Sequence, residues 1–212
     1  QLHSKPLDKQ APHVKIYHVQ GTRSVRVIWL CEELEIPYDV ENIDFSATFR
    51  QSPEWRAKSP TGKVPAMDDQ DFTMFESGAM LQYVLDRHGN GRLMPTPGTP
   101  ESAMYLQWCW FAEATFARPL GDIAHHTVMK PEAERIPAVV DDARVRALSC
   151  LDAVNDAVGK TDYLVGDTFS AADIMMGYTL MLADRFKVLE NRHPHARDYF
   201  ERLCARHGYQ VA

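Results

Sequence analysis

The sequence has little from which a cysteine-based redox or metal centre could be built. Its four cysteines, Cys31, Cys109, Cys150 and Cys204, are scattered and form no C-x-x-C pair. That spacing argues against dithiol or zinc chemistry and reads as buried thiols in a reducing compartment, the cytoplasm. No apolar run approaches the roughly 18 to 20 residues of a membrane span. The opening segment, Gln1 to His13, is polar, lacks the apolar core of a signal peptide and begins without an initiator Met, which implies processing or trimming. No block of like charge occurs either. The balance of 29 acidic against 23 basic side chains gives a net of −6 without a basic patch, which argues against a nucleic acid or a membrane surface as partner. The histidines do not form a ligand set. His125-His126 point in different directions on a helix, and His193-Pro194-His195 stands at a helix start without cysteine or carboxylate spacing, so no metal is expected.

What is present is ordinary globular material, 212 residues with 45% hydrophobic side chains, enough for one large domain or two small ones. Val14 to Val19 offers apolar groups to both faces of a short segment, as a doubly buried strand does. A turn follows at Gln20-Gly21-Thr22. Val27, Leu30, Cys31 and Leu34 then recur at helical spacing, with Glu32 and Glu33 on the outer face, until Pro37 forbids more helix. Tyr38 to Phe45 reads as a second strand. Val64 to Met67 and Phe72 to Phe75 flank a turn at Asp68-Asp69-Gln70-Asp71, and Met80 to His88 marks a closing helix. The order is βαβ, then ββα.

Between Gly89 and Glu101 glycine and proline accumulate, a composition that breaks both helix and strand and marks a connection. Beyond it no strand pattern appears. Helices are expected over 101–117, roughly 131–158, 170–185 and 194–206. Ser170-Ala171-Ala172-Asp173 ahead of Ile174-Met175-Met176 is a capping box that starts a buried helix. The expected organisation is therefore a first domain over 13–89, a linker over 90–100 and an all-helical domain over 101–212.

Three motifs narrow the fold. Gln20-Gly21-Thr22-Arg23-Ser24-Val25-Arg26 leads into Val27 to Leu34, Pro60-Thr61-Gly62-Lys63-Val64-Pro65-Ala66 follows, and Phe75-Glu76-Ser77-Gly78-Ala79 comes third. In this order, with the capping box downstream, they resemble the cytosolic glutathione transferases of the Ser/Thr, bacterial-like type, over roughly Val14 to Tyr209. The resemblance implies a thioredoxin-like N-terminal domain followed by an all-helical C-terminal domain.

It also implies roles. The proline equivalent to Pro65 is cis in that family, so that Val64 pairs strand-like with the cysteinyl backbone of glutathione. Ser77, on the first turn of a helix, suits the γ-glutamyl carboxylate, and Glu76 its ammonium group. Lys63 stands where the family often places a group for the glycyl carboxylate. By themselves these residues have plainer readings, a loop proline, an N-cap, a solvated acid and a solvated lysine. A free thiol with a pKa of about 8.5 is only a few per cent ionised at pH 7, and a hydroxyl donor beside a helix N-terminus lowers it. Thr22 is the first choice for that hydroxyl, Ser24 its rival with N-capping as the plain reading, and Tyr17 a third candidate. Arg23 and Arg26 are read as surface or interface groups.

On the helix over 101–117, Trp108, Phe111, Thr115 and Arg118 fall near i, i+3, i+7 and i+10, and in the family this helix overlooks the sulfur. The face suggests an apolar electrophile, with core packing as the plain alternative. The resemblance thus implies a glutathione transferase that ionises glutathione, its cosubstrate, and conjugates the thiolate to that electrophile in detoxification, with peroxide reduction as a variant and a homodimer as the assembly. Two alternatives stay open, a non-catalytic interaction protein on the same fold and a glutathione-dependent lyase or isomerase. Without a cysteine at 22 or 24, disulfide exchange is disfavoured.

Overall fold

The computed structural model describes residues 13–212; the polar opening segment up to Pro12 lies outside the described residues. Strand β1, Val14–His18, is buried on both faces apart from the half-buried Lys15, as its apolar pattern requires. Helix α1, Ser24–Leu34, ends where Glu35 turns left-handed and its N–H bonds back to the Cys31 and Glu32 carbonyls, before Pro37. Its two acids are not simply solvated. Glu33 accepts from Arg206 Nε and Nη2, each at 2.7 Å, and from the Trp29 indole N–H at 2.9 Å. Glu32 accepts from the Tyr38 hydroxyl. The C-terminal end of the chain, folded back onto α1, supplies the arginine.

Strand β2, Tyr38–Asn42, is shorter than the alternation over 38–45 predicts, because the chain turns at Asp44, whose carboxylate holds the Ser46 N–H and hydroxyl at 2.9 and 2.7 Å. Ser46 then caps α2, Ala47–Gln51, and Ser52 caps α3, Pro53–Lys58, each hydroxyl accepting a backbone N–H three residues on at 3.2 Å. These two short helices were not expected; their serine caps and the Pro53 at a first helical position were the local signals. Strand β3, Ala66–Asp69, starts two residues later than predicted, past Pro65, which has no N–H to give a ladder. Strand β4, Phe72–Phe75, matches. The turn between them shrinks to Gln70-Asp71, since Asp68 and Asp69 pair with Thr73 and Phe72. Helix α4, Ser77–Val84, widens into a π-helical turn over Leu85–Gly89.

The sheet order is β2-β1-β3-β4, with β1 and β2 parallel across α1 and the other pairs antiparallel. This is the thioredoxin-like arrangement. The connection that follows carries no regular element, and the Leu93 carbonyl in it accepts from the Ala171 N–H at 2.8 Å.

The helical half begins with α5, Pro100–Trp110, then a π-helical turn over Phe111–Phe116, α6 over Ala117–Ala124 and a further π turn over His125–Met129. The helix was expected to stop at Ala117. It runs on through Pro119 because the wider turn before it gives the ring room where an α-helical bond to the Thr115 carbonyl would otherwise fall. A short 3₁₀ turn at Glu132–Glu134 precedes α7, Pro137–Val158; α8, Ala171–Arg185, α9, Pro194–Cys204, and α10, His207–Val211, complete the bundle. Helix α8 is its centre, buried from Ala171 through Leu180. One apolar core runs from Ile16, Val27 and Met80 of the first half to Leu120, Leu151 and Met176 of the second. Among the described residues no helix is long and apolar enough to cross a membrane, and no cluster of His, Cys, Asp and Glu could hold a metal ion.

Candidate active site

The loop from Ser59 to Pro65 is shaped from within. The buried Ser59 hydroxyl donates to the Lys63 carbonyl at 2.7 Å and accepts the Lys63 N–H at 3.1 Å. Gly62, at φ +66, passes so close to the Arg50 carbonyl that a Cβ would lie 2.5 Å from it, so glycine is required. The Val64–Pro65 peptide is cis. Lys63 is left exposed at the rim.

Across from this loop, β4 passes into α4 through Glu76. It sits at φ 77, a conformation unfavourable for a residue with a Cβ, and leaves its side chain exposed. Ser77 is the first helical residue rather than a cap, and its buried hydroxyl accepts from Arg26 Nη1 at 3.1 Å. Lys63, Val64, Pro65, Glu76 and Ser77 line one cleft together with Arg23, Ser59, Thr61, Phe75 and Glu113.

Arg23, Arg26 and Glu113 are the residues that reading the sequence missed. Arg26 is wholly buried, donating from Nη2 to the Met175 carbonyl at 3.0 Å and the Thr179 hydroxyl at 3.1 Å, and pairing with Glu113 through Nη1. Arg23 Nε bonds both Glu113 oxygens at 2.8 and 3.0 Å, and Tyr178 presents its ring to both guanidinium groups. Burial pushes the Glu113 carboxyl up, but the Arg26 charge and the Arg23 hydrogen bonds outweigh it and hold the pKa below the ordinary glutamate value. The one sequence pointer is that Glu113 is the sole acid between Glu101 and Asp122; nothing in the spacing pairs it with Arg23, just ahead of α1, or with Arg26 on its first turn.

Thr22 ends the β1–α1 turn. Its hydroxyl donates to the Val19 carbonyl at 2.7 Å and lies 2.9 Å from the Ser24 hydroxyl. It is half-buried and stands next to Arg23, though it is not itself among the cleft-lining groups. Ser24 is fully buried and is the first helical residue rather than the cap, a position Arg23 takes; its oxygen is 2.8 Å from His18 Nδ1. Tyr17 alternates to the other sheet face, packs edge-on against Trp55 and donates its hydroxyl to Asp68 at 2.7 Å, away from α1.

The face expected from Trp108, Phe111, Thr115 and Arg118 does not form. Trp108 is buried in the core with Phe111 edge-on against it at 5.2 Å, while Thr115 and Arg118 are exposed. The π turn at Phe111–Phe116 rotates the later side chains away from α-helical spacing, and the residue this helix brings to the cleft is Glu113.

Comparison with known proteins accords with this geometry. Residues 12–86 match the glutathione S-transferase N-terminal domain and residues 137–202 the C-terminal domain. Glutathione S-transferase 4 of Zea mays is 30% identical over 206 residues, covering 92% of this chain and 89% of its own. The chain belongs to the glutathione S-transferase family. A probable glutathione S-transferase of Oryza sativa subsp. japonica is 29% identical over 91% of this chain and 92% of its own. The theta class glutathione S-transferase of Xanthomonas axonopodis pv. citri, solved with glutathione bound, superposes with a TM-score of 0.79 at 27% identity, over 94% of this chain and 96% of that one. As a glutathione transferase, this chain carries Thr22, the cis proline and the Glu76-Ser77 pair inside the first matched domain. Glu113 lies in the stretch between the two matches.

Proposed function

We propose that this transferase binds glutathione in the cleft between the cis-proline loop and α4, lowers the pKa of its thiol and conjugates the thiolate to an apolar electrophile. The observation that carries the reading is that one cleft gathers Lys63, Val64, Pro65, Glu76 and Ser77 from two separate segments of the first half. Glutathione has a charged group at each end and a peptide backbone between them. Lys63 suits the glycyl carboxylate, Val64 the cysteinyl backbone, and Ser77 with Glu76 the γ-glutamyl carboxylate and ammonium. Arg23, held by Glu113, adds a cation at the γ-glutamyl end. Thr22, at the N-terminus of α1, supplies the hydroxyl donor to the sulfur, where the helix dipole adds to it. Bringing a thiol of pKa about 8.5 down to about 6.5 takes about 2.7 kcal/mol of differential stabilisation. The thiol proton passes to solvent, the sulfur forms a bond to the electrophilic carbon and the leaving group departs; peroxide reduction is a variant of the same thiolate chemistry.

In this reading residues 13–89 form the glutathione-binding domain, 90–100 the link and 101–212 the helical domain. A homodimer is supported by the exposed Phe72, Phe75, Met104, Leu106 and Trp110, of which Leu106 and Trp110 line an apolar cavity of about 380 Å³ between α4 and α5. Four free thiols, two of them buried, fit a reducing compartment such as the cytoplasm.

The test is calorimetry with glutathione on the wild type and on the double variant Glu76→Ala, Ser77→Ala, with ultraviolet titration of the bound thiol in the wild type and in Thr22→Ala. Binding lost in the double variant and a thiol pKa raised in Thr22→Ala are the expected results. A wild type that does not bind glutathione sinks the reading.

A further inference from the structure

Behind Thr22 runs an unbroken chain of hydrogen-bonding groups. Its hydroxyl is 2.9 Å from that of Ser24, and the Ser24 hydroxyl is 2.8 Å from His18 Nδ1. His18 is the last residue of β1 and Ser24 the first of α1, so the chain spans the passage from strand to helix. The two inner members are shut away from water, Ser24 entirely and His18 to 9% exposure. The cap position before α1 is held by Arg23, so Ser24, the first helical residue, is not placed as the helix cap. Its hydroxyl is committed to the chain instead.

Counting protons shows what the chain decides. The Thr22 hydroxyl has one hydrogen, and it points at the Val19 carbonyl, 2.7 Å away. To donate to a thiolate it has to turn, which leaves that carbonyl with the longer bond from the Thr22 backbone N–H, at 3.2 Å, and room for a second donor. Ser24, already 3.4 Å from the same carbonyl, is placed to take over, or to donate to the Thr22 oxygen, provided its own hydrogen is not held by His18. That condition is met when Nδ1 of the imidazole carries the hydrogen and donates to Ser24. The direction then runs one way, from His18 Nδ1–H to Ser24, from Ser24 to Thr22 or Val19, and from Thr22 to the sulfur. Hydrogen bonds in such a series polarise one another and strengthen the last donor.

We propose that Ser24 and His18 are positioning residues that turn the Thr22 hydroxyl into a one-way donor to the glutathione thiolate. This rests on the reading that Thr22 meets the thiol. Burial alone, with no charged side chain contributing, pushes the His18 pKa below the usual histidine value, so the imidazole is neutral near pH 7 and acts through its tautomer rather than its charge.

The experiment is the ultraviolet titration of glutathione bound to the wild type, Thr22→Ala, Ser24→Ala, Ser24→Thr and the Thr22→Ala, Ser24→Ala double variant, with conjugation rates on a chlorodinitroarene across pH. Ser24→Ala should raise the thiol pKa, cutting the thiolate and the rate about three- to tenfold below that pKa while the rates converge at high pH and the KM for glutathione holds. Ser24→Thr should restore the wild-type titration. In the Thr22→Ala background, removing Ser24 should change nothing further, because it acts through Thr22. Should Ser24→Ala fail to fold, His18→Asn, which keeps a donor at the Nδ1 position, against His18→Leu, which removes it, makes the same comparison. A thiol pKa raised in Thr22→Ala but unchanged in Ser24→Ala overturns the relay and leaves the active site standing, as do additive effects of the two substitutions. A thiol pKa unmoved by Thr22→Ala overturns both.

Discussion

Arg26 and Ser77, 51 positions apart and both buried, meet at the floor of the cleft, the guanidinium donating to the hydroxyl at 3.1 Å. The same guanidinium holds Glu113 and the Met175 carbonyl of the helical half. A group that shapes one end of the cleft is thereby also a tie between the two halves of the chain, so its energetics and its binding role are linked.

Removing the Glu113 charge leaves Arg26 buried with only neutral partners. Glu113→Gln is expected to cost about 3 kcal/mol, the lower end for a broken buried pair because Glu113 is itself one-third exposed. Urea unfolding measures the loss, and the KM for glutathione should rise with it, since Arg23 loses its anchor. A variant as stable as the wild type would show that Arg26 is satisfied by its neutral partners.

Stability should fall with acid in two stages. Burial works against the charged form of His18 and His88 and lowers both pKa values, the nearby Asp69 only partly offsetting it for His88. A group with a lowered folded pKa is protonated first in the unfolded chain, so stability is fully present above the ordinary histidine value of 6.5 and slips as pH falls through the folded values. The carboxyls of Glu113 and Glu33 are also lowered, the arginines outweighing burial. Their contribution is complete above the ordinary 4.5 and lost as pH falls through the folded values below it. Unfolding free energy followed against pH should show the second, steeper decline, and Glu113→Gln should flatten it.

Trp29 is clamped between two glycines. A Cβ on Gly177 would lie 2.6 Å from its ring, and one on Gly208 2.5 Å. Gly177→Ala is expected to cost about 2 to 3 kcal/mol, because α8 is the centre of the core and cannot move away. Gly208→Ala should cost less, about 1 kcal/mol, since α10 is five residues long and buries only Gly208, whereas α8 is buried along most of its length. Thermal melts of the two variants check the order, and equal losses would contradict it.

The Asp173 carboxylate accepts from the Leu164 and Ser170 N–H groups at 3.1 and 2.8 Å and from the Ser170 and Tyr199 hydroxyls at 3.2 and 2.6 Å. Asp173→Ala strands these buried donors and should cost at least about 3 kcal/mol, with the helical half losing cooperative unfolding. Asp173→Asn, which keeps an acceptor, should cost less. Denaturant curves of the two variants decide it.

Much of the fold was legible in local pattern. The apolar run of β1, the helical spacing of Val27, Leu30 and Leu34, the turn residues between β3 and β4 and the capping box at Ser170 all depend on neighbours a few positions away. The short helices α2 and α3 were legible too, through Ser46, Ser52 and Pro53, and were passed over because neither is long enough to show an apolar period. At the site, the cleft does gather Lys63, Val64, Pro65, Glu76 and Ser77. The role of Arg26 was hidden, since an arginine on a first helical turn is ordinarily solvated and only the arrival of Glu113 and Met175 makes it a buried tie.

By itself the sequence determined most of the elements and the family motifs, because these follow from backbone sterics and short-range periodicity. Only the tertiary structure decided which side of a helix faces what. It packed Trp108 into the core with Phe111 against it, followed them with a π turn that no spacing rule anticipates, brought Glu113 to the cleft in their place, and set His18 behind Ser24. Those outcomes depend on groups brought together from distant parts of the chain or across the strand-to-helix turn, and the free energy that selects them exists only once the chain has packed.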